Sequence, residues 1–139
     1  MENKSNMKEY IHYQNYYKDT FLPLFEEVAS ECQTSGFKEK ELCEKFVVLF
    51  ETSFMLLKYY LQNHGLFQFL EADVFREAFA IELLDDGEEW MQVLEKVNNL
   101  QFANPDEVKN KDFLEYLTKH FYIFENLNQT FSHRCKMVK

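Results

Sequence analysis

Glycine and proline are scarce in this sequence, three and two among 139 residues. A sheet-rich domain of this length needs many tight turns, so the scarcity argues against a β-sandwich or barrel and suits long, uninterrupted helices. Cysteine is equally sparse. Cys32, Cys43 and Cys135 are odd in number and far apart, with no CxxC pattern and no histidine pair at ligand spacing. That points away from both a disulfide framework and a zinc site, so reduced thiols are expected, with no metal and no other cofactor. Long apolar runs are missing too. None approaches the roughly 18 residues of a membrane span, and the opening MENKSNMKEY has no apolar signal core. A cytoplasmic location without membrane association is the expectation. Positive charge is in the minority, 15 Lys and Arg against 24 Asp and Glu, giving a net charge of −9. Such a surface repels phosphate backbones, so DNA is not an expected partner and RNA is disfavoured. A Gly-rich phosphate loop is also absent, which leaves nucleotide binding by this chain alone unsupported.

The residues that are abundant fall at helical spacing. Tyr10, Tyr13, Tyr17, Phe21, Leu24 and Val28 recur every three or four positions between Met7 and Ser30, with Pro23 expected to kink that helix. A polar reversal at Gln33–Phe37 precedes a second helix, Lys38 to Asn63, whose Leu42, Phe46, Leu49, Phe50, Phe54, Leu57 and Leu61 should face inward, with Gly65 as its left-handed stop. A shorter helix over Ala72–Glu82 carries Val74, Phe75, Ala78 and Phe79 on its buried side. Asp86 with Glu89 three positions on gives an N-cap signature for a fourth helix through Trp90, Val93, Leu94 and Val97. Asn104-Pro105-Asp106-Glu107 starts a long final helix with Val108, Leu114, Leu117, Phe121, Phe124, Leu127 and Phe131 along one face. The sum is an all-α, up-and-down antiparallel bundle of four to five helices. It should form a single domain over 1–139, with a core at 7–131 and a short basic tail at 132–139.

Within that plan, one block of residues is specific. It comprises Phe46, Phe50-Glu51, Phe54, Lys58, Tyr60-Leu61 and Gly65, then Val74-Phe75-Arg76-Glu77-Ala78-Phe79, Leu83-Leu84-Asp85-Asp86-Gly87-Glu88, Trp90, Leu94-Glu95 and Asn98. The block resembles, without a gap, the nucleotidyltransferase substrate-binding proteins of the broader HEPN class. The resemblance implies an up-and-down bundle that pairs as a homodimer and assembles with a nucleotidyltransferase. It further implies, for catalytic HEPN members, RNA cleavage by an Arg and a His after the fourth helix, with a nearby Tyr as acceptor of AMP. Carried onto this chain, the Arg position is Val97, the following Asn is Asn98, the His position is Phe102 and the Tyr position is Asn104. Neither Val nor Phe can move a proton or stabilise a phosphorane, so no catalytic residue is expected and the chain is read as a non-enzyme.

The candidate site residues are therefore Glu51, Lys58, Trp90 and Asn98. Glu51 and Lys58 lie seven apart on one helix and should share a side. They form either a polar network fixing helix register or a polar pocket for a substrate or partner loop. Trp90 fits a core or interface anchor better than a base-stacking platform on so acidic a chain. The Asp85-Asp86 pair suits helix capping better than metal binding. Surplus aromatics on the first helix, Tyr10, Tyr13, Tyr16 and Tyr17, suggest a protein–protein seam. Three functions follow: a non-catalytic subunit that dimerises and binds or scaffolds a nucleotidyltransferase in a toxin–antitoxin-like module; a ribonuclease toxin working through rearranged residues such as His120 or Arg134; or an orphan helical adaptor.

Overall fold

In the computed structural model, residues 12–33, 39–67, 70–102 and 107–136 are described. Among them are six α-helices and no strand: α1 Leu22–Gln33, α2 Glu39–Asn63, α3 Glu71–Ala80, α4 Gly87–Phe102, α5 Glu107–Lys119 and α6 Tyr122–Lys136. The all-α expectation holds, with one helix more than the four to five expected. Helix α2 is central, packing against α1, α3 and α5, and the apolar residues that dominate its stretch 46–61 supply the faces for these contacts.

The start of the chain shows how Pro23 is accommodated. Residues 12–16 are helical and pass through a π-helical turn, Tyr17–Phe21, into α1. Pro23 has no N–H to offer the carbonyl four residues back, and its ring crowds that carbonyl. The chain widens by one residue just ahead of it, so that the Leu22 N–H reaches the Tyr17 carbonyl. Tyr13, Tyr17, Phe21, Phe25 and Val28 are buried on this segment, while Leu24 is half-buried. Met7 and Tyr10 lie outside the described residues, as does most of the reversal that joins α1 to α2. Lys45 of α2 clamps that hairpin, reaching Glu31 at 2.6 Å and Glu27 at 3.0 Å.

Two helices end with the same left-handed device. After α2, Gly65 has φ +76°, the Leu66 N–H donates to the Leu61 carbonyl and the Gly65 N–H to that of Gln62. After α3, the Leu83 N–H donates to Ala78 and the Glu82 N–H to Phe79, with Glu82 at φ +65° in the place a glycine would favour. An L-side chain there costs roughly 1–2 kcal/mol. Glu82→Gly is therefore expected to stabilise the fold by about 0.5–1 kcal/mol once glycine's greater unfolded-state entropy is subtracted. A chemical-denaturation midpoint that stays put or falls would contradict this account of the turn.

The same turn corrects the expected burial of Phe79. Its left-handed step carries Leu83 and Leu84 into the core, 1% and 4% exposed, while Phe79 is left 51% exposed. The base of the Phe79 ring lies over Gly87, where an added Cβ would come within 2.8 Å of Phe79 Cγ, so the first residue of α4 is held to glycine.

The long final helix expected from Asn104 is two helices. Residues 103–106 and the Val108 side chain lie outside the description, but the break at His120–Phe121 is clear. Here the N–H groups of Ile123 and Phe124 return to carbonyls only three residues back, those of His120 and Phe121. This tightening re-aims the chain so that Phe121 meets Phe25 and Phe46 while Phe124 meets Trp90. Neither glycine nor proline marks the spot, and side-chain docking supplies the cause. Residues 132–136, expected as tail, continue α6, and Cys135 is buried.

Candidate functional site

The first turn of α4 is built as its sequence requires. Asp86 Oδ1 accepts the Glu89 N–H at 3.0 Å, satisfying one of the free donors at the helix start. Its other oxygen, Oδ2, accepts the Tyr122 hydroxyl at 3.1 Å. With both oxygens engaged, Asp86 is a cap and a tie between α4 and α6.

Glu89 turns inward beside Trp90 and is only 8% exposed. A carboxylate so placed needs compensation. It accepts a short hydrogen bond from the Tyr116 hydroxyl of α5, and His120 Nδ1 lies 2.9 Å from the same Glu89 oxygen. The second contact is at ion-pair distance without hydrogen-bond alignment, leaving His120 Nδ1 buried with no hydrogen-bond partner among the described residues. The Tyr116 oxygen is also 3.2 Å from Gln92 Oε1. A phenol has one proton, so with Glu89 taking it, the Gln92 amide is better turned to donate its N–H. The His120 ring stacks on Tyr116 at 4.3 Å, and Lys96 Nζ sits 4.4 Å from the Tyr116 ring centre. Burial, then the Glu89 hydrogen bond and carboxylate charge, push the Tyr116 hydroxyl well above the ordinary phenol range, which keeps it a proton donor. Tyr122 is raised by the same kinds of effect, burial first and Asp86 next.

Chemically, a His beside a carboxylate and a Tyr has the parts of an acid–base relay. The space beside these groups does not suit a substrate. The adjoining recess, lined by Leu83, Leu84, Asp86, Trp90, Ile123 and Asn126 among others, has a cavity volume of only about 10 Å³. That is room for about one water molecule and too little for a small-molecule substrate. The seam's evident work is to lock the ends of α4, α5 and α6 together. Among the described residues no group of three or more His, Cys, Asp or Glu side chains has metal-binding geometry.

The residues singled out from sequence are dispersed by type. Glu51 is exposed on α2, Lys58 and Asn98 are half-buried on α2 and α4, and Trp90 is 1% exposed. Trp90 is an aromatic hub, stacked on Phe75 at 5.6 Å, edge-on to Phe124 at 5.2 Å and tilted to Phe50 at 6.2 Å. Val97, at the Arg position, is 2% exposed and faces the core. The Phe102 side chain and Asn104 lie outside the described residues. The Glu89–Tyr116–His120 set was not read from sequence as a unit. Its available signal was the i, i+4 spacing of Tyr116 and His120 on one helix face; nothing in the spacing ties that face to Glu89.

These features define an all-α bundle whose polar side chains seam helices to one another. The chain matches the family described as nucleotidyltransferase substrate binding protein like over residues 13–133, and it belongs to that family. No curated protein and no solved structure matches it. Among the described residues, no helix is long and apolar enough to cross a membrane.

Proposed function

We propose that this chain is a non-catalytic, HEPN-like subunit that forms a homodimer in the cytoplasm and binds or scaffolds a partner nucleotidyltransferase in a toxin–antitoxin-like module. The observation that carries the reading is the family match across residues 13–133. Two features support it. Val97, at the position the resemblance gives to a catalytic Arg, is an apolar core residue with no access to substrate. Large apolar side chains remain on the surface, Val48, Phe67, Leu70 and Phe79 being about half exposed or more, and side chains of this kind are available to a protein contact. Glu51, Lys58 and Asn98, all at least partly accessible, are the polar candidates for the partner contact, while Trp90, buried among Phe50, Phe75 and Phe124, serves the core.

The test is light scattering of the purified chain, alone and mixed with the nucleotidyltransferase encoded nearest to it in its host. A dimer that gains the mass of the enzyme is expected. A strict monomer with no affinity for the enzyme would overturn the proposal, and a dimer indifferent to it would favour the orphan adaptor. His120 at 2.9 Å from Glu89 supports a second reading, a ribonuclease with rearranged residues. That reading requires RNA degradation abolished by His120→Ala, and it ends if several RNAs survive intact.

A further inference from the structure

The end of the bundle where α2 and α6 finish is organised around Tyr60. Its ring is 4% exposed, held edge-on by Tyr13 at 5.0 Å and by Phe131 at 5.6 Å. Two cationic or proton-binding side chains share it. Arg134 of α6 donates an Nη1 N–H to the Tyr60 hydroxyl at 2.7 Å, with its Cζ 5.6 Å from the ring centre. His64 stacks on the ring at 4.4 Å, and its Nδ1 lies 3.0 Å from the Tyr60 carbonyl of its own helix. A carbonyl can only accept, so Nδ1 carries the proton and Nε2 is the nitrogen left for a ligand.

The charge balance is unusual for so acidic a chain. Among the described residues no carboxylate lies within ion-pair distance of Arg134 or His64; the cations with carboxylate partners are Lys45, Arg76 and, when protonated, His120. Arg134 is half-buried, and one of its five N–H donors is taken by the Tyr60 hydroxyl; none of its nitrogens is among the buried atoms without a partner, so the remaining donors have access to solvent or to a ligand. Lys18 stands near enough to Cys135, the neighbour of Arg134, to oppose the rise that burial imposes on that thiol. Among the described residues, Arg134, His64 and Lys18 are thus proton-binding side chains placed toward this end of a molecule of net charge −9.

We propose that Arg134 and His64, both set on Tyr60, form a binding site for a small phosphate group, either inorganic phosphate or a phosphate monoester. The guanidinium fork presents paired N–H donors to a tetrahedral oxyanion, and His64 Nε2–H, gained on protonation, adds a donor from the other side chain on the ring. The ligand is small because a polyanion would extend over the rest of the surface of a chain of net charge −9, which repels it at close range. Tyr60 acts as a positioning residue: its hydroxyl sets the guanidinium and its ring sets the imidazole. The site is separate from the proposed partner role, and its test needs no partner.

The test is a titration of the full chain with sodium phosphate and, separately, with ribose 5-phosphate, against sodium chloride at matched ionic strength, following the His64 ring and the Arg134 guanidinium by NMR. Saturable shifts with both probes, absent with chloride, are expected. Equal affinities assign the phosphate group alone, and tighter binding of the sugar phosphate extends the ligand to the ester. Arg134→Gln should weaken binding about tenfold or more, and Arg134→Lys should recover only part of it, because the charge returns without the fork. Since Arg134→Gln also loses the Tyr60 contact, the exposed His64→Gln serves as a second variant; it should keep the fold and lose affinity several-fold. Shifts no different from those in chloride, or unchanged affinity in both Gln variants, would overturn the site.

Discussion

Trp90→Ala is expected to cost about 3–5 kcal/mol, which is a large share of the stability of a domain this size. Trp90 is the sole tryptophan and is 1% exposed. It touches three aromatic rings from three different helices, Phe50 of α2, Phe75 of α3 and Phe124 of α6. Truncation removes the transfer free energy of the indole and leaves a void that these rings cannot close together, because each is anchored on its own helix. The midpoint of thermal unfolding should fall by roughly 10 °C. Circular dichroism is the suitable probe, since the variant has no tryptophan to report by fluorescence. Trp90→Phe keeps most of the volume and the edge contacts, so it should lose less than half as much. Equal losses in the two variants would show that the hub depends on something other than filled volume, and a near-neutral Trp90→Ala would remove Trp90 from the core account altogether.

The helices that were legible in the sequence are those whose ends carry local chemistry. Gly65 announced the end of α2 because a left-handed residue is needed to return the last carbonyls, and Asp86 announced the start of α4 because a free N–H needs an acceptor. These signals act within five residues and survive any tertiary context. The break between α5 and α6 has no such signal: His120 and Phe121 are ordinary helical residues, and the chain turns there because Phe121 and Phe124 are drawn to rings on other helices. Phe79 departs from its expected burial for a related reason. Its spacing is correct for the inner face, but the unexpected left-handed Glu82 delivers Leu83 and Leu84 to the space that Phe79 would have filled. The Glu89–Tyr116–His120 seam is the extreme case, since its members come from α4, α5 and the turn after α5, and only the packing angle brings them together. The resemblance located Val97, and the structure adds that this position points into the core, which periodicity alone also implied.

Raising the pH should unfold this protein over an unusually defined window. Burial pushes the Cys32 and Cys43 thiols from about 9 up to about 11, with the neighbouring Glu31 and Glu44 carboxylates adding to the rise. Burial also raises Cys135, Tyr16, Tyr17, Tyr116 and Tyr122. In every case the folded chain holds the proton longer than the unfolded chain does. Above the unfolded value the unfolded state binds fewer protons, so stability falls as pH climbs. The contribution is fully present below about pH 9 for the thiols and is lost as pH passes through about 11, with the phenols following from about pH 10 upward. Cys43 is 5% exposed, and a shift of about two units there corresponds to roughly 3 kcal/mol. Cys32 is half-buried and contributes less after solvent screening. Urea midpoints measured from about pH 8 to about pH 11 should therefore drop steeply. Cys32→Ala with Cys43→Ala should flatten the first part of that slope, even though it lowers the starting stability through lost packing. Tyr116→Phe, which deletes the phenol and frees Glu89, should leave the thiol part of the slope unchanged and soften the steeper end. A profile equally steep in the double cysteine variant would mean that the thiols are not held protonated by the fold and that another group drives the alkaline transition.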